Sequence, residues 1–174
     1  MERADNRGVT RCRIAVLAAA LALALAWPGA ADAKTRKNLW ATVNVCDTEA
    51  HPNELGIRAR MPGDGSRERM YMRFYAQYVS PDDNKWHNVT SGGHSPWQYA
   101  GSALFRYQEL GWNFRFDELD PGSGYTMRGM VRFEWRDRKT RKVVRRTHVL
   151  TSAGRKARGA DPPGYSEATC FVMA

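Results

Sequence analysis

From Leu39 onward the chain alternates apolar and polar residues at a period of two, the spacing at which successive side chains reach opposite faces of a strand. Leu39–Cys46 reads as a first strand, and Leu55, Ile57, Ala59 and Met61 alternate with two arginines in a second. Met70–Val79 is a third, with Met70, Met72, Phe74, Ala76 and Tyr78 on its apolar face. Lys85–Val89, Ser102–Gln108 and Trp112–Phe116 are shorter candidates, the last with three aromatics on one side. Tyr125–Arg136 is the longest alternation, setting Tyr125, Met127, Gly129, Val131, Phe133 and Trp135 against Thr126, Arg128, Arg132, Glu134 and Arg136. Lys142–Thr151 returns after a charged hairpin loop, and Ala168–Val172 is a last short strand. Asp47–Glu54 reads as a polar loop. Pro62–Ser66 and Ser80–Asn84 carry turn residues, because glycine supplies positive φ and proline presets a corner. No helix-period segment follows the N-terminal region, so eight or nine short strands predict an all-β sandwich or barrel.

The first residues follow a different rule. A basic leader precedes an apolar run at Ile14–Trp27, and Ala31-Asp32-Ala33 offers a small-residue cleavage site. Residues 1–33 are therefore expected to be a signal peptide. The run is shorter than the roughly 20 apolar residues a bilayer span needs. The expected organisation is a β-sandwich domain over 34–151 and a C-terminal tail over 152–174, in a secreted or cell-surface protein with no transmembrane segment after cleavage. Cys12 leaves with the leader, and the remaining even pair, Cys46 and Cys170, predicts a disulfide in an oxidising compartment. Closing so long a loop is worth about 4–5 kcal/mol in the chain-entropy model.

Charge is unevenly spread. The formal net charge is +9, and the leader's four arginines and three acids leave +8 on the remainder. Arg136–Arg158 holds ten Lys/Arg against one Asp, so the rest of the mature chain is close to neutral. An electrostatic function would be addressed to that segment.

Leu119-x-Pro121-Gly122-x-x-Tyr125, followed by an alternating strand, resembles the tyrosine corner of fibronectin type III and related immunoglobulin-like domains. In such a corner the leucine packs into the core, Pro-Gly turns the chain, and the tyrosine hydroxyl bonds back to nearby backbone. The resemblance implies an immunoglobulin/fibronectin-III-like sandwich of about 7–9 antiparallel strands. Leu39–Cys46 would be strand A, Leu55–Met61 B, Met70–Val79 C, Trp112–Phe116 E, Tyr125–Arg136 F and Lys142–Thr151 G. Met127 stands where antibody-type domains carry a cysteine. The Cys46–Cys170 bridge would then tie down the tail rather than join the two sheets. The whole layout also resembles short exported proteins of high-GC bacteria such as the actinobacterial groups, which implies no particular activity.

Candidate chemistry is sparse. His51 with Asp47 and Glu49 is the densest set of metal-ligand types, but without the spacing that fixes two ligands on one ion, so no metal site and no cofactor is expected. Asp82-Asp83-Asn84 is read as turn chemistry. Gly92-Gly93-His94-Ser95 pairs a histidine with a serine without a nucleophile elbow, and Glu109, Asp117, Glu118 and Asp120 are strand-end carboxylates with nothing to single them out. No catalytic residue is assigned. The strongest lead is the basic hairpin: Arg136, Arg138, Lys139, Arg141, Lys142, Arg145 and Arg146, in which alternation sends Arg145 and Arg146 to opposite faces. Such a hairpin attracts phosphate, sulfate or uronate; alternatively its charges keep an edge strand from aggregating. Tyr71, Tyr75, Trp86, Trp97 and Tyr99 are a second lead, because exposed rings stack on sugars or bases. The expected function is a non-catalytic binding module for anionic extracellular polymer or cell wall. A structural or protein-interaction domain, partnering another surface protein, is the first alternative, and a small extracellular hydrolase the second.

Overall fold

The alternating segments meet as two antiparallel sheets in the computed structural model, which describes residues 38–116 and 122–173. The expected leader, Leu119 and Pro121 of the corner motif, and the carboxylates Asp117, Glu118 and Asp120 lie outside the described residues. The strands are β1 (Trp40–Thr48), β2 (His51–Pro62), β3 (Arg69–Val79), β4 (Trp86–Asn88), β5 (Gln98–Ser102), β6 (Tyr107–Arg115), β7 (Gly124–Arg136), β8 (Val143–Leu150) and β9 (Thr169–Met173). The smaller sheet has the order β1-β2-β6. The larger has β4-β3-β7-β8, with β5 sharing the β4 edge of β3 and β9 sharing the β8 edge of β7. The segments expected as A, B and E thus form one sheet, and those expected as C, F and G form the other. Both are all-antiparallel, and the architecture is an all-β sandwich.

Register follows from which face each strand must bury. Pairs such as Leu55–Phe114 and Ile57–Trp112 in the small sheet, and Met72–Phe133 and Phe74–Val131 in the large one, bring apolar partners side by side on the inner faces. Met61, Met70, Met72, Phe74, Phe133 and Val131 are fully enclosed, and Trp135 nearly so. Gly129 is required by this packing, because a Cβ there would run into the Ile57 and Thr151 side chains.

The tail completes the small sheet. Thr151 and Ala41 form a parallel bridge, and Val43 exchanges backbone hydrogen bonds with Glu167 at 2.9 and 3.0 Å. Thr42 Oγ1 lies 2.7 Å from Ser166 Oγ, and Asn44 donates to the Gly159 carbonyl at 2.7 Å. An otherwise open edge is thereby covered, which suppresses edge-to-edge association. It also explains why Trp40–Val45 is buried on both faces.

Three expectations are corrected. The Cys46–Cys170 disulfide forms, but Cys46 lies in β1 of one sheet and Cys170 in β9 of the other, so it joins the sheets as well as holding the tail. A bulge between Val43 and Val45 makes this possible: the extra residue shifts the alternation, so that Cys46 shares the inner side with its partner Leu55. Asp47–Glu54 is not a loop. β1 and β2 turn through Glu49 and Ala50, with Thr48 opposite His51, and Asn53 takes positive φ in an irregular stretch that accommodates Pro52. Ser102–Gln108 is not a strand: β5 ends at Ser102, Ala103–Arg106 turns, and β6 starts at Tyr107.

Tyr125 opens β7 as expected, opposite Val172, and its ring meets Tyr78 edge-on at 5.9 Å.

Candidate functional site

On the outer face of the larger sheet, the residues between the buried positions of β3 and β7 fall into register rows. Arg69 is opposite Arg136, Tyr71 opposite Glu134, Arg73 opposite Arg132, Tyr75 opposite Met130, and Gln77 opposite Arg128. β8 extends four rows: Val143 beside Arg136, Arg146 beside Glu134, His148 beside Arg132, and Leu150 beside Met130. Tyr99 and His94 extend the Tyr71 and Tyr75 rows on the other side.

The arginines lie against rings. Arg132 and Arg73 stand 4.8 and 5.5 Å from the Tyr75 ring centroid. Arg136 is 4.3 Å from Tyr71 and 5.0 Å from Trp97, Arg128 is 4.1 Å from Trp86, and Arg69 is 5.6 Å from Tyr99. Stacking leaves a guanidinium's N–H edge available and reduces the side-chain entropy lost on binding, although Arg128 spends its Nε on Gln77 Oε1 at 2.8 Å. Arg73 is fixed further, donating from Nε to the Ser95 carbonyl at 2.9 Å and from Nη2 to the His94 ring at 2.9 Å. Burial draws the Arg128 guanidinium below its usual value.

One carboxylate serves these rows. Glu134 is buried, accepts from Arg136 Nε and Nη2 at 2.9 and 2.7 Å, and meets Arg146 Nη2 at 3.2 Å. Arg73 and Arg132 have no such partner among the described residues. Like charges directly opposite across two strands are destabilising, and this sheet has two such pairs, Arg69–Arg136 and Arg73–Arg132, on either side of the Tyr71–Glu134 row. Glu134 relieves the first through Arg136 and leaves the second unrelieved. A groove of about 490 Å³ beside them is bounded by Trp97, Arg132, Glu134, Arg146 and His148.

The seven residues expected to bind anion are only partly brought together. Arg136 and Arg146 belong to the outer face but share Glu134. Arg141, at φ 61°, donates to the Tyr71 hydroxyl at 3.3 Å. Arg138, Lys139 and Lys142 are exposed at the turn, with Arg138 close to Arg67, Arg69 and Tyr99. Arg145 points to the inner side, 3.9 Å over the Trp135 ring and 2.8 Å from Asp64. Burial would raise the Asp64 carboxyl, but Ser66 and Arg145 outweigh it and hold the group below the usual carboxylate range. Lys156 and Arg158 sit elsewhere, near Arg58 and Arg60 beside the small sheet. The basic segment of the sequence is therefore divided between opposite sides of the molecule.

All five aromatics of the second lead lie on or beside the outer face, so the two leads converge there. Arg73, Arg128, Arg132, His94 and His148 were not among the expected binding residues. The available signal was that Arg73 occupies the mixed face of its strand and that Arg128 and Arg132 oppose the apolar face of theirs.

The remaining candidates are occupied structurally. Asp47 accepts from the backbone N–H of Asn53 at 2.8 Å and of Met173 at 2.9 Å, while His51 pairs with Glu54 at 3.1 Å. No group of three potential metal ligands converges among the described residues. Ser95 is fully buried, its hydroxyl donating to the Pro96 carbonyl and accepting from the Phe74 N–H. Glu109 pairs with Arg60 at 2.6 Å, and Asp83 pairs with His87 at 3.0 Å within its turn.

Comparison with protein-family models, with curated proteins and with solved structures finds no match to this chain.

Proposed function

We propose that this chain is an exported, non-catalytic module that binds anionic polymer across the outer face of its larger sheet. The observation that carries the reading is the pairing of Arg69 with Arg136 and of Arg73 with Arg132, stacked on tyrosine and tryptophan, with Glu134 of the intervening row as the one carboxylate paired with them among the described residues. A fold that sets like charges against one another gives up stability, and a bound polyanion restores it. Repeated phosphate, sulfate or uronate groups along a polymer suit an array of guanidinium forks. The Cys46–Cys170 bridge and the absence of a membrane-crossing helix among the described residues fit an extracellular setting. The strand orders A-B-E and C-F-G, with a tyrosine opening F, support kinship with immunoglobulin-like and fibronectin type III domains.

Retention on immobilised sulfated polysaccharide, and separately on polyphosphate, tests the reading across a salt gradient. All the described strands lie after Lys34, so the oxidised chain from that residue is used. Arg73→Gln/Arg132→Gln is expected to elute at much lower salt than the parent. A turn variant with Arg138, Lys139, Arg141 and Lys142 changed to Gln is expected to shift less. Equal, weak elution of all three overturns the proposal and leaves protein association as the alternative. A large loss confined to the turn variant moves the site from the sheet to the hairpin.

A further inference from the structure

The turn that replaces the expected strand at Ser102–Gln108 presents Leu104 and Phe105 to solvent, 57% and 61% exposed. Two adjacent large apolar side chains at the tip of a connection are costly to expose, and this connection is firmly built. Ala103 is fully buried and anchors the turn, donating to the Glu68 carbonyl at 2.9 Å and accepting from Gly65 N–H at 2.9 Å. Gly63 donates to the Arg106 carbonyl at 3.1 Å, and Ser102 receives the Phe105 N–H on its carbonyl and the Leu104 N–H on its hydroxyl, both at 3.3 Å. A Cβ at Gly63 would collide with the carbonyl oxygens of Ala103 and Phe105, so the two loops are packed backbone to backbone. The hydrogen bonding of the turn therefore holds the apolar pair outward.

Its surroundings are basic. Arg67, Arg69, Tyr99, Ser102, Leu104 and Arg138 line one shallow concavity. Arg106 adjoins Phe105, and Lys139 follows Arg138 in the exposed hairpin turn. Of the acids on the neighbouring loop, Asp64 is taken up by Arg145, which leaves Glu68.

We infer that this pole of the sandwich docks on an anionic lipid surface, with Leu104 and Phe105 immersed among the upper acyl chains and Arg67, Arg106, Arg138 and Lys139 on the headgroups. Exposed apolar side chains within a basic collar are the combination that interfacial binding requires, since each alone gives only marginal affinity. The long arginine stems let the charges reach headgroups while the apolar tips descend. Arg69 and Tyr99 adjoin both regions, but Leu104, Phe105, Arg67, Arg106 and Lys139 take no part in the sheet-face rows, so the apolar pair can be tested separately from polymer binding.

The test is flotation of the oxidised chain from Lys34 with vesicles of phosphatidylglycerol and phosphatidylcholine, against phosphatidylcholine alone. Binding is expected only to the anionic vesicles and is expected to fall at least about tenfold in Leu104→Ser/Phe105→Ser, because two partly immersed side chains are removed. The same variant should keep its thermal transition and its polyanion retention, since both side chains stand outside the core. A Phe105→Trp variant should be quenched by brominated acyl chains more strongly than the parent. The inference is overturned if the parent does not float, if the double-serine variant floats as well as the parent, if neutral vesicles bind equally, or if Arg73→Gln/Arg132→Gln abolishes flotation while the double-serine variant retains it.

Discussion

The outer faces of the two sheets use the same residue types to opposite ends. On the small sheet, Arg60 stacks on Tyr107 at 4.1 Å and on Trp40 at 5.2 Å, and Glu109, opposite it in register, neutralises it at 2.6 Å. The tail then covers the neighbouring Thr42 and Asn44. On the large sheet, Arg73 and Arg132 share the Tyr75 ring, face each other in register, and meet no carboxylate among the described residues. Stacking an arginine on a ring is thus not in itself a mark of a site. What separates the faces is whether the opposite strand supplies an acid and whether another segment covers the surface.

The largest effect should come from removing the cover. Cys46→Ser/Cys170→Ser is expected to lower unfolding free energy by about 3–5 kcal/mol, seen as a fall in the denaturant midpoint. Polyanion retention under native conditions should survive, because the rows proposed to bind are built on β3 and β7. Loss of retention before loss of the fold would show that the two faces are coupled. A smaller, reciprocal effect should separate the arginines. Arg60→Gln leaves Glu109 without its partner and is expected to cost about 1–3 kcal/mol with little change in polyanion elution. Arg73→Gln/Arg132→Gln is expected to change stability by no more than about 1 kcal/mol while carrying most of the elution shift, because relief of like-charge opposition offsets the lost Ser95 and His94 bonds. If both variants move stability and elution together, the contrast between the faces fails.

The smallest effect lies in the hairpin turn. Asp137 accepts from the Thr140 N–H and hydroxyl and from the Lys139 N–H, and these bonds hold its carboxyl below the usual range. A depressed native value means that the unfolded turn binds the proton more readily. The contribution is therefore complete above the ordinary aspartate value near about 3.9 and is lost as pH falls through the lower native one. The Thr140 amide resonance should titrate with a midpoint below that ordinary value, and Asp137→Asn should remove the titration. A midpoint at or above it would mean that the turn is not held by this carboxylate.

Much of the sandwich was legible because burying one face of a strand leaves a period-two record in the residues. Met70, Met72, Phe74 and Ala76, and Met127, Val131, Phe133 and Trp135, were all assigned to the inner side and are all buried. The failures share a cause. Pro52 and Asn53 look like a loop, yet a bulged strand tolerates them; Ala103-Leu104-Phe105 looks like a strand, yet Gly63, Gly65 and Glu68 bind it as a turn. In both cases the decisive hydrogen bonds come from other segments. The candidate site was harder to read for the same reason. Counting charges along the chain singles out Arg136–Arg158, whereas the folded sheet gathers Arg69 and Arg73 of β3 with Arg128 and Arg132 of β7, strands separated by the whole of β4, β5 and β6.

The local pattern was enough for the strands, their inward faces, the cysteine pair and the excess of positive charge, because alternation, cysteine parity and net charge depend only on composition and near neighbours. Which arginines lack a counter-ion, which cysteine belongs to which sheet and which apolar side chains stay outside were settled by the assembled fold. Pairing partners across strands, a single bulge and a covering tail are relations between distant segments, and hydrogen bonding and charge neutralisation act over only a few ångströms in space whatever the separation in sequence.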